Sequence, residues 1–179
     1  YRDLATCLAA GLSVEEILLN GLSKRDDVAG GGRHMSNHFA KSALGIQNVS
    51  SVVANHAQHA AGLGRAIRTY GSDAIVFCSV GESSTSEGYF YEAVNGASRE
   101  RLPVAFFIQD NGFGISEPKE EQTANRLAAD NLSGLQNLRL LHCHGTDYLD
   151  SPRALQPAPA YVRSGAGSPR LHAESVRHP

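Results

Sequence analysis

Two polar segments that each follow an apolar run carry the residue types of a site for a metal ion and a phosphate. Glu82 and the hydroxyl-rich residues 83–86 separate the run AIVF from a segment with helical periodicity, and Asp110-Asn111 follows the run LPVAFFIQ. Open parallel sheets bind ligands outside the carboxyl ends of their strands. Glu82 and Asn111 are therefore expected to lie close together, although they are 29 positions apart in the sequence.

The chemistry of these groups suits a hydrated divalent cation. A carboxylate and an amide oxygen form part of the hard-oxygen shell that Mg²⁺ completes with substrate phosphates. The hydroxyls and backbone amides of Ser83 to Ser86 are expected to open the following helix, where aligned N–H groups favour an anion. Each group also has a purely structural interpretation, because a carboxylate is favoured at a helix start and Asn111-Gly112 is a common turn pair.

The elements that must position these groups alternate along the chain. The apolar runs predict parallel strands covered on both faces, and the segments between them have helical spacing. Strands are predicted at DAIVFCSV, LPVAFFIQ, LRLLHC and PRLHAE, and helices at 1–20 with a break near 11–13, at 50–70, 86–99, 121–130 and 147–163. This order predicts one α/β domain over residues 1–179, built on a doubly wound parallel sheet.

Local signals refine three of these elements. Ser13 and Glu16 have the spacing of a capping box at the second N-terminal helix. The helix that opens near Ser50 has one face of mostly small residues, so a neighbouring element is expected to pack very close to it. Pro157 and Pro159 are expected to kink or end the last helix. The long loop-like segment between 24 and 48 is a candidate for function.

Composition excludes several classes of function. The net charge of −2 gives no reason to expect nucleic-acid or membrane-surface binding, and no apolar run is long enough to span a bilayer. Three cysteines without C-x-x-C spacing favour a reducing, intracellular compartment. Because residue 1 is tyrosine, we interpret the chain as processed or a fragment. The histidine pairs fall in different elements and lack companion cysteines, so zinc is not predicted.

The residues between Glu82 and Asn111 resemble the thiamine diphosphate motif, which begins Gly-Asp/Glu-Gly and closes with Asn-Asn about thirty residues later. More widely, the chain resembles the alpha subunit of the decarboxylating component of 2-oxo acid dehydrogenase complexes, of the pyruvate and branched-chain types. The blocks GGRHMSNHF, SSVVANHAQHAAG, GESSTSEGYFYEAVN and RLPVAFFIQDNGFGIS fall in the order and spacing of that family. The resemblance covers residues 1 to 177 and implies a thiamine diphosphate-binding fold.

The resemblance implies roles for individual residues. Mg²⁺ would be bound by Glu82, the Asn111 side chain and the Phe113 carbonyl. Ser51 and His38 are the candidate catalytic residues, His38 facing the active-site channel. The other candidate cofactor-binding residues are Tyr1 and Arg2 at the phosphates, Ser51 and Val53 at the cofactor rings, and Gly81, Ser83, Ser84 and Gln109 near the diphosphate.

The resemblance also implies an activity and partners. The family decarboxylates a 2-oxo acid with thiamine diphosphate and Mg²⁺ and passes the acyl group to a lipoyl group on the acyltransferase of the complex. A beta subunit, or a fused beta half, completes the active site and gives a heterotetramer. The expected location is cytoplasmic, or the mitochondrial matrix if the source is eukaryotic. The alternatives are an acetoin dehydrogenase-type enzyme and a catalytically silent subunit or fragment.

The chain departs from the family pattern at several positions. Ser83 replaces the usual third-position glycine and could crowd the diphosphate. Asp110 replaces the first asparagine of the closing pair, and Val52 replaces a usual proline. The sequence ends at Pro179, where the family continues into a loop with an active-site histidine, so we expect that loop to be lacking, either because the chain is truncated or because the protein has lost the loop. A dinucleotide-binding fold is disfavoured, because no G-x-G-x-x-G follows a strand.

Overall fold

The computed structural model describes residues 3–177, and the chain divides into two compact units, Tyr1–Val52 and Val53–Pro179. The first unit begins with two short helices, α1 (Leu4–Ala9) and α2 (Val14–Gly21). The predicted capping box is confirmed: Glu16 N donates to Ser13 Oγ at 3.1 Å, and Ser13 N donates to Glu16 Oε2 at 2.9 Å. The predicted break between the helices is also present.

A buried carboxylate organises the segment that follows α2. Asp27 is 5% exposed and accepts hydrogen bonds from the backbone N–H groups of Ala29, Gly30 and Gly32 and from the Asn20 side chain. Burial opposes ionisation of Asp27, but these donors lower its pKa. The glycine-rich part of the long loop is therefore a defined turn structure.

The second unit alternates helices and strands. In chain order its elements are α3 (Asn55–Thr69), β1 (Val76–Gly81), α4 (Gly88–Glu100), β2 (Val104–Asp110), β3 (Phe113–Gly114), β4 (Glu117–Pro118), β5 (Leu138–His144), α5 (Asp150–Leu155), α6 (Pro157–Arg163) and β6 (Ser168–Glu174). Short 3₁₀ turns occupy Ser83–Ser86, Lys119–Glu121 and Ala128–Leu132. None of the helices within residues 3–177 combines the length and apolar character of a membrane span.

Three predicted helices need correction. Helix α3 begins at Asn55 instead of Ser50, because Ala54 has a left-handed backbone (φ 61°) that a helix cannot include. The predicted helix at 121–130 is wrong, since most of that segment is irregular chain between two 3₁₀ turns. The predicted helix at 147–163 is split into α5 and α6, and Pro157 occupies the first turn of α6, where its missing N–H costs nothing.

The four long strands form one parallel sheet in the order β1-β2-β6-β5, as the α/β prediction requires. One face packs against α3 and α4 and includes Phe90, Val94, Phe106 and Ile108, all fully buried. The opposite face packs against α5 and α6. With helices on both faces, the predicted doubly wound arrangement is confirmed.

The predicted close approach to the small-residue face of α3 is confirmed at Gly64. A Cβ atom on Gly64 would lie 2.6 Å from Val104 Cγ2 and 3.3 Å from Leu102 Cβ. Ala57, Ala60 and Gly64 are all buried on this side of the helix. The absence of side-chain bulk therefore sets the distance between α3 and the start of β2.

Candidate functional site

The ends of β1 and β2 converge on one carboxylate. Gly81 pairs with Gln109 in the parallel register, and Glu82 N donates to Gln109 O at 3.2 Å. Glu82 Oε2 in turn lies 3.4 Å from the backbone N of Asn111, whose N–H it accepts. The expected proximity of the two segments is thus present at the carboxyl edge of the sheet.

The Glu82 carboxylate is buried among neutral donors. It is 4% exposed, and its other oxygen, Oε1, accepts a hydrogen bond from Ser83 Oγ at 3.2 Å. Burial raises the pKa of Glu82, and the nearby charge of Asp110 adds to that effect. No lysine, arginine or histidine forms an ion pair with Glu82 in the part of the chain that the structure describes. A buried carboxylate without a protein cation fits a bound metal ion.

The other two candidate metal ligands lie on the turn that follows β2. Asn111 Oδ1 accepts the N–H of Phe113 at 3.0 Å, which closes a local turn and leaves the amide oxygen a second lone pair. Among residues 3–177, no group of three or more His, Cys, Asp and Glu side chains is arranged to hold a metal. A site made of Glu82, Asn111 and the Phe113 carbonyl uses one such side chain only, as Mg²⁺ sites often do.

The hydroxyl-rich segment does not open α4 as expected. Residues Ser83–Ser86 form a separate 3₁₀ turn, because Glu87 has an extended backbone (ψ 139°) and α4 begins only at Gly88. The first hydrogen bond of the turn joins Thr85 N to Glu82 O at 3.0 Å. The N–H groups of Ser83 and Ser84 precede that bond and find no acceptor inside the turn.

Gly114 makes room for the side chain of Ser83. A Cβ atom on Gly114 would lie 2.8 Å from Ser83 Cβ and 2.7 Å from Gln122 Nε2, closer than real Cβ contacts. The Ser83 side chain therefore packs against the β3 backbone and donates to Glu82. The departure from glycine at position 83 is accommodated on the side of the β3–β4 hairpin.

Three further candidates have defined surroundings in the second unit. Gln109 Nε2 donates to Ser79 Oγ at 2.8 Å, which ties β2 to β1 just below the site. Gly81, the last residue of β1, has open space beside it apart from Ser84 Oγ at 3.8 Å. Val53 is 44% exposed at the start of this unit.

The candidate catalytic residues of the first unit contact each other. His38 is 2% exposed, and its Nε2 lies 2.9 Å from Ser51 Oγ. The Nδ1 atom lies 3.1 Å from the carbonyl oxygen of Ser36, which can only accept, so Nδ1 carries the ring proton and Nε2 accepts from the Ser51 hydroxyl. Tyr1 and Arg2 lie outside the described residues.

One buried network beneath the site was missed by sequence reasoning. Asp110 is 2% exposed and contacts both His172 Nε2 and Lys119 Nζ at 2.8 Å. Burial opposes ionisation of Asp110, but hydrogen bonds from His172 and Lys119 lower its pKa to about 2. The sequence signal for this network was the carboxylate at position 110 itself, which a buried site tolerates only with a partner.

The family follows from sequence comparison. The profile described as "Dehydrogenase E1 component" matches residues 1–178. The chain belongs to the dehydrogenase E1 component family. The chain is 32% identical over 177 residues to the 2-oxoisovalerate dehydrogenase subunit alpha of Bacillus subtilis (strain 168), covering 99% of this chain and 53% of that protein. The resemblance stated from the sequence motifs is therefore confirmed.

Two further proteins are similar to this chain. The pyruvate dehydrogenase E1 component subunit alpha of Staphylococcus aureus (strain Mu50) is 27% identical over 180 residues, covering 99% of this chain and 45% of that protein. A solved Mycobacterium smegmatis structure, described as a thiamin diphosphate-dependent enzyme, has 20% identity and a TM-score of 0.49 over 66% of this chain and 21% of that one. The chain spans about half the length of the curated relatives it matches.

Proposed function

We propose that this chain holds thiamine diphosphate and Mg²⁺ at the Glu82–Asn111 edge of the sheet, as part of a 2-oxo acid dehydrogenase of the acyl-transferring type. The observation that carries the proposal is the buried Glu82 carboxylate, which accepts hydrogen bonds from the Ser83 hydroxyl and from the backbone N–H of Asn111. A buried carboxylate that has no cationic side chain as partner is strongly stabilised by a bound cation.

The residues divide the work of the site between them. Glu82, the Asn111 side chain and the Phe113 carbonyl would hold Mg²⁺, and the N–H groups of Ser83 and Ser84 would bind diphosphate oxygens. When bound, the cofactor would supply the carbanion and the electron sink for decarboxylation. In the first unit, the Nδ1–H···O bond to Ser36 keeps His38 in the tautomer that accepts at Nε2, so His38 would take a proton from the Ser51 hydroxyl.

The relatives support a substrate class and a partner. The proteins similar to this chain are named as alpha subunits that act on 2-oxoisovalerate or in pyruvate dehydrogenase. We infer a branched-chain 2-oxo acid or pyruvate as substrate, a lipoyl-bearing acyltransferase as acyl acceptor, and a beta subunit or fused beta half as partner in a heterotetramer. We expect an intracellular location, in the cytoplasm or, for a eukaryotic source, in the mitochondrial matrix.

Turnover of the full-length protein with its beta partner tests this proposal. Reduction of an artificial electron acceptor should follow addition of 2-oxoisovalerate or pyruvate, should require both thiamine diphosphate and Mg²⁺, and should be lost in Asn111→Ala. Glu87→Gln, an exposed change in the same segment, is the matched control and should retain activity. Preference for acetoin would select the alternative enzyme, and absence of both turnover and cofactor binding would select the silent subunit.

A further inference from the structure

A buried carboxylate joins β2 and β6 directly beneath the candidate metal ligands. Asp110 is the last residue of β2 and immediately precedes Asn111. Its Oδ2 lies 2.8 Å from both His172 Nε2 and Lys119 Nζ, and its Oδ1 accepts the N–H of Gly112 at 3.0 Å. Both carboxylate oxygens of Asp110 are thus bonded on the inner side of the turn that carries Asn111.

Lys119 closes the segment 110–119 through its backbone and through its side chain. Its N–H donates to Gly112 O at 2.9 Å, and its ammonium group contacts Asp110. The β3–β4 hairpin, which contains Phe113, lies between these two anchor points. The lysine side chain is only 13% exposed, so the ion pair is shielded from the solvent screening that weakens surface pairs.

His172 holds the other side of the same carboxylate. The ring is fully buried, and its Nδ1 accepts the N–H of Ala129 at 3.4 Å. Since a backbone N–H can only donate, the ring proton is on Nε2, which donates it to Asp110. The histidine is therefore a neutral donor of fixed tautomer, and Lys119 supplies the positive charge.

We propose that Lys119 and His172 are positioning residues, which hold the 110–119 segment in the geometry that presents Asn111 and Phe113 to the cation. The inference rests on the proposed function, because it assumes that Mg²⁺ binds at this turn. Groups bonded behind the ligands of a metal orient those ligands, and their loss weakens metal affinity without removing a ligand. The same contacts explain how this chain accommodates a carboxylate where the family usually has asparagine.

The direct test measures Mg²⁺ affinity in the full-length protein in its native assembly, by calorimetry at saturating thiamine diphosphate. Lys119→Met keeps most of the length of the side chain without its charge, and is expected to weaken Mg²⁺ binding by about 10–100-fold. His172→Leu should have an effect of similar size, whereas His172→Gln, which keeps an N–H donor, should recover most of the affinity.

Leu171→Ala is the matched control. Leu171 precedes His172 on β6, but its side chain packs on the face of the sheet that α5 and α6 cover. This variant should lower stability while Mg²⁺ affinity stays within about 2-fold of wild type, because it leaves the groups behind the ligands intact. An equal loss of Mg²⁺ affinity in Leu171→Ala and Lys119→Met would show a general effect of destabilisation and would overturn the inference.

A double-mutant cycle tests whether Asp110 and Lys119 act as one unit. Asp110→Asn alone leaves the lysine ammonium buried without its counter-charge. If the two single losses were independent, their product would give the affinity of the double variant Asp110→Asn with Lys119→Met. Because the two residues are in contact, we expect the double variant to bind Mg²⁺ at least about 5-fold more tightly than that product predicts. Additive losses would contradict a shared positioning role.

Amide hydrogen exchange provides a readout that needs no cofactor. Lys119→Met should speed exchange across residues 111–118, and Leu171→Ala should not single out that segment. Unchanged exchange there would overturn the inference whatever the affinities. If the wild-type assembly bound no Mg²⁺ with thiamine diphosphate, the proposed function would fail and the role toward the cation with it, while the exchange comparison would still decide whether Lys119 holds the segment.

Discussion

At the scale of single residues, the two buried carboxylates at this edge of the sheet, Glu82 and Asp110, differ in their partners. Its oxygens contact a hydroxyl and a backbone N–H, and its exposure is 4%. Asp110, one strand away and equally buried, instead has both a lysine and a histidine. The described residues therefore supply a lysine ammonium and a histidine to one of two neighbouring buried carboxylates and no ion-pair partner to the other.

This asymmetry predicts that Glu82→Gln stabilises the metal-free protein at neutral pH. Burial raises the pKa of Glu82 above its ordinary value of 4.5, so the carboxyl group holds its proton more tightly in the folded chain than in the unfolded chain. That preference stabilises the fold below the ordinary pKa, and the stabilisation is lost as the pH rises through the folded pKa. In the presence of a metal chelator at pH 7.5, Glu82→Gln should raise Tm by about 2–4 °C for each kcal/mol by which the free energy of unfolding increases.

The pH dependence separates this effect from simple side-chain replacement. The Tm gain of Glu82→Gln should shrink at pH 5, and the exposed control Glu87→Gln should leave Tm nearly unchanged at both pH values. A Glu82→Gln variant that is less stable than wild type at pH 7.5 would show that the carboxylate is a structural group and would remove the argument for a cation.

The contact between Ser83 and Gly114 predicts a rescue. Gly114→Ala is expected to destabilise the protein by about 1–3 kcal/mol, because its Cβ would overlap the Ser83 side chain. Ser83→Gly in the same chain should recover part of that loss, whereas Gly134→Ala, which has no atom within 4 Å of its Cβ, should cost little. Urea unfolding of wild type, the two single variants, the double variant and Gly134→Ala measures these effects, and strictly additive effects of the Ser83 and Gly114 changes would contradict the packing described.

The closeness of Glu82 and Asn111 could be predicted from the sequence. Each residue follows a predicted parallel strand, and the carboxyl ends of parallel strands lie at the same edge of the sheet. The Ser83–Gly114 packing could not be predicted, since it depends on how the β3–β4 hairpin folds back over the preceding turn. The catalytic, cofactor-binding and metal-binding roles of all the candidate residues stay predictions, because their assignment rests on the family motifs.

At the scale of elements, the strands were predicted well and the helices less so. The strands are buried apolar runs, a pattern that local sequence displays directly. The start of α3 was missed because a left-handed alanine ends the preceding segment, and alanine gives no signal for that backbone. The segment 121–130 was mistaken for a helix, although its residues fold into short turns that local propensity does not distinguish.

The closeness of α3 to β2 predicts opposite effects for two neighbouring glycines of one helix. Gly64→Ala should cost about 1–3 kcal/mol, because its Cβ would lie 2.6 Å from Val104 Cγ2. Gly62→Ala, with no atom within 4 Å of its Cβ, should gain about 0.5–1 kcal/mol through helix propensity. Urea unfolding measures both, and a destabilisation of the same size at the two positions would contradict the packing.

At the scale of the whole molecule, the family was predictable because several motif blocks occur in register along the chain, and the profile match confirms it. The Asp110–His172 contact was not predictable, because it requires β6 to lie beside β2 although 62 residues separate the two side chains. Sheet order depends on the packing of all crossover segments, which local sequence patterns do not encode.

Binding of thiamine diphosphate with Mg²⁺ to the full-length protein and its partner is the measurement that tests the central claim most directly. Wild type should bind thiamine diphosphate together with Mg²⁺. Glu82→Ala and Asn111→Ala should each weaken Mg²⁺ binding by at least about 10–100-fold, which is the loss expected when a group bonded to a metal ligand is removed. The double variant should show no detectable metal-dependent binding in a calorimetric titration. Unchanged affinity in the double variant would contradict the assignment of the cation to this edge of the sheet.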